Sequence, residues 1–170
     1  MRKGTDRSGA IFSDCENYRY SLWRIWDDDR PYVAFIGLNP STADELKDDP
    51  TVARCRRYAE AWNYGGMYML NLFAFRATQP EVMKGAKDPV GRDNDKRIMS
   101  VVKEAGLVMA IWGNHGAHRN RSVEVMGWLK NLNCLKVNKS GEPCHPLYLK
   151  KNLKPKPFAG VQRLKARVPA

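Results

Sequence analysis

Apolar residues run unbroken through YVAFIGL, residues 32–38, and the run stops at Gly37-Leu38-Asn39-Pro40. A continuous β-prone stretch of this kind predicts a strand covered on both faces. Two further runs have the same character, MYMLNLFAF (67–75) and LVMAIWG (107–113), and a shorter strand is expected at 134–138. YRYSLWRIW (18–26) alternates apolar and polar positions instead, which predicts a half-buried strand. With the DDDRP turn behind it, residues 11–30 read as an N-terminal strand or hairpin.

Between these strands the period changes. DPTVARCRRYAEAW predicts a helix with Asp49 as N-cap and Pro50 in its first position, closed by Gly65–Gly66. A second helix starts at a capping Asp93 and stops at Gly106, with Ile98, Val101, Val102 and Ala105 on one face. Residues 76–92 read as a loop holding one short helical turn. AHRNRSVEVMGWLKNLN is helical in pattern, with Val123, Met126 and Leu129 on one side, and Gly127 weakens it. Strands alternating with helices predict an α/β domain. The expected form is a three-layer α/β/α arrangement around a central, mostly parallel four-stranded sheet.

Composition sets the outer bounds. Hydrophobic content of 43% and charged content of 28% over 170 residues fit one soluble domain. No apolar run is long enough to span a membrane. MRKGTDRSGA is basic without an apolar stretch behind it, so no secretory signal is read there and a cytoplasmic monomer is expected. The net charge of +11 is uneven. Residues 150–170 carry seven of the 29 Lys and Arg and no acid, which leaves +4 on residues 1–149. The division is therefore a single α/β domain over 1–149 and a basic extension over 150–170. That extension either contacts phosphates or simply keeps the chain soluble. Cys15, Cys55, Cys134 and Cys144 form no C-x-x-C pair, and their spacing with His115, His118 and His145 matches no metal-ligand pattern. Neither a metal nor a cofactor is expected.

Candidate chemistry collects where the strands end. In open α/β sheets ligands bind outside the carboxyl ends of the strands. Gly37-Leu38-Asn39-Pro40-Ser41 follows the first run, Asn71 interrupts the second, and Trp112-Gly113-Asn114-His115 ends the third. Cys144-His145-Pro146 follows the fourth. Proline fixes its own φ and extends the residue before it, so Asn39 and His145 have pinned directions. Asn71 needs partners for its amide, either a ligand or a neighbouring loop, and Asn39 is either a site residue or a plain turn residue. Trp23, Trp26, Trp62 and Trp128 read as packing residues, while Trp112 either packs or touches a ligand. His115, His118, Arg119 and Arg121 lie in a loop that either binds phosphate or is solvated.

Together these motifs resemble the uracil-DNA glycosylase superfamily over residues 32–151. GLNPS is similar to its first motif, closest to the mismatch-specific branch. YMLNLFAFR is similar to the strand whose Asn reads the base edge, and HPLYLKK to the His-Pro-Ser motif. More narrowly, the whole chain resembles the DUF1643 family, whose name carries no activity. The resemblance implies a glycosylase-like fold and hydrolysis of the N-glycosidic bond of an extrahelical, damaged or modified base. Asn39 would hold the water, His145 would donate to the leaving base, and Asn71 would read the base edge. Gly37, Leu38, Pro40, Ser41, Asp44, Gly113 and Tyr148 would line the pocket, with Asp44 a spare carboxylate. Arg76, Arg119, Lys150 and Lys151 would meet phosphates of DNA. Two departures stand out: Ser41-Thr42-Ala43-Asp44 replace the expected aromatic after the first motif, and His-Pro-Leu replaces His-Pro-Ser. An enzyme acting on a free nucleotide or modified base, and a non-catalytic base-binding module, are the alternatives.

Overall fold

A computed structural model describes residues 1–160. One mixed sheet of eight strands runs through it in the order β1-β2-β3-β5-β4-β6-β7-β8. The strands are β1 (Arg2–Gly4), β2 (Ser8–Phe12), β3 (Arg19–Ile25), β4 (Tyr32–Gly37), β5 (Gly66–Asn71), β6 (Leu107–Ala110), β7 (Leu132–Cys134) and β8 (Lys156–Pro157). The helices are α1 (Pro50–Ala61), α2 (Pro80–Gly85), α3 (Asn94–Glu104) and α4 (Arg121–Trp128).

The expected sheet of four mostly parallel strands is thereby corrected. Strands β5, β4, β6 and β7 pair in parallel, but β1, β2, β3 and β5 pair antiparallel, as do β7 and β8. The physical reason lies at the edges. A strand edge presents unpaired N–H and C=O groups that need partners. The N-terminal meander covers the free edge of β5, and β8 covers that of β7. RKG, SGAIF and KP are too short or too polar for periodicity to reveal them. Covering β5 also changes β3. Instead of the half-buried strand predicted from alternation, it is buried at every position from Arg19 to Arg24.

Helices pack on both faces. On one, α1 brings Val52, Cys55, Tyr58 and Ala59 against Val33, Phe35, Met67 and Met69. On the other, Met83, Ile98, Val101 and Val125 from α2, α3 and α4 meet Ala34, Ile36, Leu70 and Ala110. Burying each such aliphatic side chain contributes roughly 1.5–3 kcal/mol, so the two cores lock the central strands between them. Helix α1 starts as the sequence predicts: Asp49 caps it, accepting from the Val52 N–H at 2.9 Å, with Pro50 at its start. At α3, Asp93 precedes the helix but its side chain makes no capping bond.

The segment after Lys150 stays on the domain. Tyr58 Oη donates to Lys150 O at 2.6 Å, Trp62 Nε1 donates to Leu153 O at 3.0 Å, and Phe158 is buried in the core. The rest of the basic extension, residues 161–170, lies outside the described residues. Among the described residues no helix is long and apolar enough to cross a membrane.

Candidate functional site

The chain leaves β4 toward β5 on one side and leaves β6 toward β7 on the other. Their carboxyl ends therefore diverge, and a crevice opens between the two exit loops. A cleft of about 620 Å³ lies there, within the size range of small-molecule sites. The end of β4 contributes Gly37, the loop after it Leu38, Asn39 and Ser41, and β5 contributes Met69 and Asn71. Ile111 to His115 follow β6, and Cys144, His145, Leu147 and Tyr148 form the far wall. The start of α1 adds Asp49, Thr51 and Val52. Asn39, Asn71 and His145, separated along the chain, thus line one cavity.

Their chemical states differ. Asn39 stitches two loops together: its Nδ2 donates to Ala77 O at 2.9 Å, Pro40 O at 3.1 Å and Phe75 O at 3.5 Å. The amide nitrogen is consumed by structure, so Oδ1 is the atom available to a ligand or water. Asn71 is the opposite case. It is 3% exposed, and its Nδ2 has no hydrogen-bond partner. Buried donors are nearly always paired, and this unpaired one belongs to a side chain that lines the cavity. Gly37 gives this amide its room, since a Cβ there would stand 3.0 Å from Asn71 Oδ1.

His145 opens a short 3₁₀ turn (Pro146–Tyr148), and its Nδ1 accepts from the Leu147 N–H at 3.4 Å. That places the ring proton on Nε2. Desolvation pushes the imidazole below its ordinary pKa, against the opposing pull of the Asp49 charge. The ring is therefore neutral at pH 7 and a donor through Nε2. Tyr148 stands at the rim, 89% exposed. Gly113 adopts φ +71°, and its N–H donates to Pro143 O at 3.0 Å, which ties the β6 exit to the strand of chain that carries His145. A further layer steadies this wall: Trp112 Nε1 and Ser122 Oγ donate to the buried Glu142 carboxylate at 2.6 and 2.7 Å.

Several sequence-predicted residues sit elsewhere. Asp44 does not line the cleft. Its Oδ1 accepts from the N–H groups of Leu46 and Lys47, and these bonds hold the carboxyl below its usual range. Pro40 is buried, with its carbonyl taken by Ala77 N–H and Asn39. Arg76 donates to Glu16 O and lies over the Phe12 ring. Arg119 donates to the carbonyls of Ala86 and Lys87. Lys150 and Lys151 are exposed beyond the 3₁₀ turn.

Two charged cleft residues escaped the sequence reading. Asp49, expected only as a helix cap, lines the cavity with one carboxylate oxygen bound to Val52 N–H. The signal was present: a helix that follows a parallel strand begins on the carboxyl side of the sheet. Arg19, at the start of β3, lines it as well. Nothing local announces that position, because β3 reaches the cleft only by pairing antiparallel to β5.

The family described as "Protein of unknown function (DUF1643)" matches residues 19–147. The chain belongs to the DUF1643 family. That span contains Arg19, both asparagines and His145. No curated protein and no solved structure matches the chain.

Proposed function

We propose that the cleft of this DUF1643 protein binds a nucleobase and hydrolyses its N-glycosidic bond. The observation that carries this reading is Asn71, a buried amide whose Nδ2 has no partner, lining one cavity with Asn39 and a neutral His145. Breaking such a bond puts positive charge on the sugar and negative charge on the departing base. Preorganised donors facing that negative charge are the largest contribution a site of this kind makes. Asn71 Nδ2–H donates to a carbonyl on the base edge, and His145 Nε2–H donates to an oxygen of the leaving base. Water accepts its orientation from Asn39 Oδ1. The C1′–N bond breaks with its electron pair going to the base, the water oxygen bonds to C1′, and the water proton passes to Asp49. That last role moves from Asp44 to Asp49 because Asp49 is the carboxylate in the cleft.

An extrahelical modified base in DNA is the first substrate class. A free nucleotide is the second, and a specific observation favours it. Arg76 and Arg119, two of the four expected contacts to DNA phosphates, donate to backbone carbonyls and do not line the cleft, which leaves Lys150 and Lys151 exposed for that role. Duplexes holding uracil, hypoxanthine or hydroxymethyluracil, treated with protein and then alkali, report abasic sites. Nucleoside 5′-monophosphates followed by chromatography report free base. Asn71→Ala is expected to lower the productive rate by about 10²–10³, as for loss of one such donor. Absence of base release from every substrate, with bound base seen in titration, would hand the cleft to a non-catalytic binding module.

A further inference from the structure

Arg19 is 2% exposed, yet no carboxylate forms an ion pair with it among the described residues. The two other strongly buried arginines have acids: Arg24 pairs with Asp48 at 2.9 Å, and Arg121 pairs with Asp95 and Glu124. Arg19 instead donates one Nη1 bond to Ala43 O at 2.7 Å, and its Nε finds no partner. Burial pushes its pKa down to about 10, with Asp49 the largest opposing charge, so the group is cationic at neutral pH. Asp49 acts through space, forming no ion pair with Arg19 within 4.0 Å, and one of its oxygens is already bound to Val52 N–H. An uncompensated buried guanidinium costs several kcal/mol. It is tolerated where a ligand completes it, and Arg19 lines the cleft.

We propose that Arg19 and Asn71 form an oxyanion subsite on the α1 side of the sheet, which takes a phosphoryl group of the ligand. Arg19 and Asn71 line the same cavity from adjacent strands, β3 and β5, and each carries a buried donor without a partner, Arg19 Nε and Asn71 Nδ2. A phosphoryl group supplies what both lack: negative charge and several acceptor oxygens. The inference rests on the cleft being a ligand site, as proposed above, and adds that the ligand is anionic at its inner end. Asn71 then serves the phosphoryl oxygen in place of the base edge, and the phosphoryl group comes from a free nucleotide or from a nucleic-acid end.

Calorimetric titration at fixed ionic strength tests this with four probes: inorganic phosphate, a nucleoside, its 5′-monophosphate, and a 5′-phosphorylated oligonucleotide. Inorganic phosphate is expected to bind saturably, and the monophosphate at least tenfold tighter than the nucleoside. Arg19→Gln should weaken phosphate at least tenfold. Because Arg19 also holds Ala43 O, that variant can lose its fold, so Asn71→Asp is the second arm. It supplies the missing counter-charge and should raise Tm while abolishing phosphate binding. Equal affinity for nucleoside and monophosphate, or phosphate binding unchanged in a folded variant, overturns the subsite. Phosphate binding without release of any base keeps the subsite and removes the hydrolase reading. Base release with no preference for a phosphate does the reverse. Tighter binding of the oligonucleotide than of the monophosphate assigns the phosphoryl group to nucleic acid.

Discussion

Two buried asparagines give the sharpest test of what the cleft is for. Asn71 is 3% exposed and Asn94 is fully buried. The same substitution, Asn→Ala, removes the same atoms from each. Asn94 Nδ2 donates to Asn71 O at 3.0 Å and to Leu72 O at 3.1 Å. Asn94→Ala loses both bonds and leaves those two buried carbonyls short of a donor, which outweighs release of its own unpaired Oδ1, so it should cost about 2 kcal/mol. Asn71 Nδ2 has no bond to lose. Its removal returns the desolvation penalty of an unpaired donor, about 1–3 kcal/mol, which offsets the packing lost with the carboxamide. The net change for Asn71→Ala is therefore close to zero or stabilising. In a domain of this size each kcal/mol moves Tm by about 2–4 °C. Asn94→Ala should melt about 4–8 °C lower, and Asn71→Ala within about 3 °C of wild type or higher. Calorimetry and urea unfolding read both. An Asn71→Ala protein destabilised as much as Asn94→Ala would refute the reasoning, because the amide would then be holding the fold.

Other perturbations test the surrounding structure. Glu142→Gln puts an NH2 in place of one of the two carboxylate oxygens that accept separately from Trp112 Nε1–H and Ser122 O–H, and removes the charge that strengthens both bonds; it should cost about 1–3 kcal/mol in urea unfolding. Phe158→Ala removes a ring that packs edge-on to Trp112 and should cost about 3 kcal/mol, read as a lower unfolding midpoint with unchanged slope. The depressed pKa of His145 has a definite sign in stability. The unfolded chain takes up the proton first, so stability contributed by the neutral ring is complete above the ordinary value of 6.5 and is lost as pH falls toward the lower folded value. His145→Asn should flatten that part of the Tm–pH curve.

Much of the frame was legible in residues 32–113. Strands buried on both faces must be apolar throughout, so YVAFIG, the apolar core of the second run and LVMA stand out at their own positions. Asp49-Pro50 marks a helix start because capping is a contact between residues three apart. Asn39, Asn71 and His145 were legible as punctuation, since polar residues are costly inside such runs and prolines fix the chain beside two of them. Tertiary pairing decided the rest. Whether β5 or β7 forms an edge depends on which distant segment supplies hydrogen bonds to it, and RKG, SGAIF and KP carry no pattern that says so. The same pairing brings Arg19 to the cleft, turns β3 from half-buried to buried, and ties Phe158 into the core. The path of residues 41–49 chose Asp49 over Asp44 for the cavity. Local sequence determines where a chain extends, coils and turns. Which unpaired donors and charges then face one another across a cavity depends on long-range closure, which no short window contains.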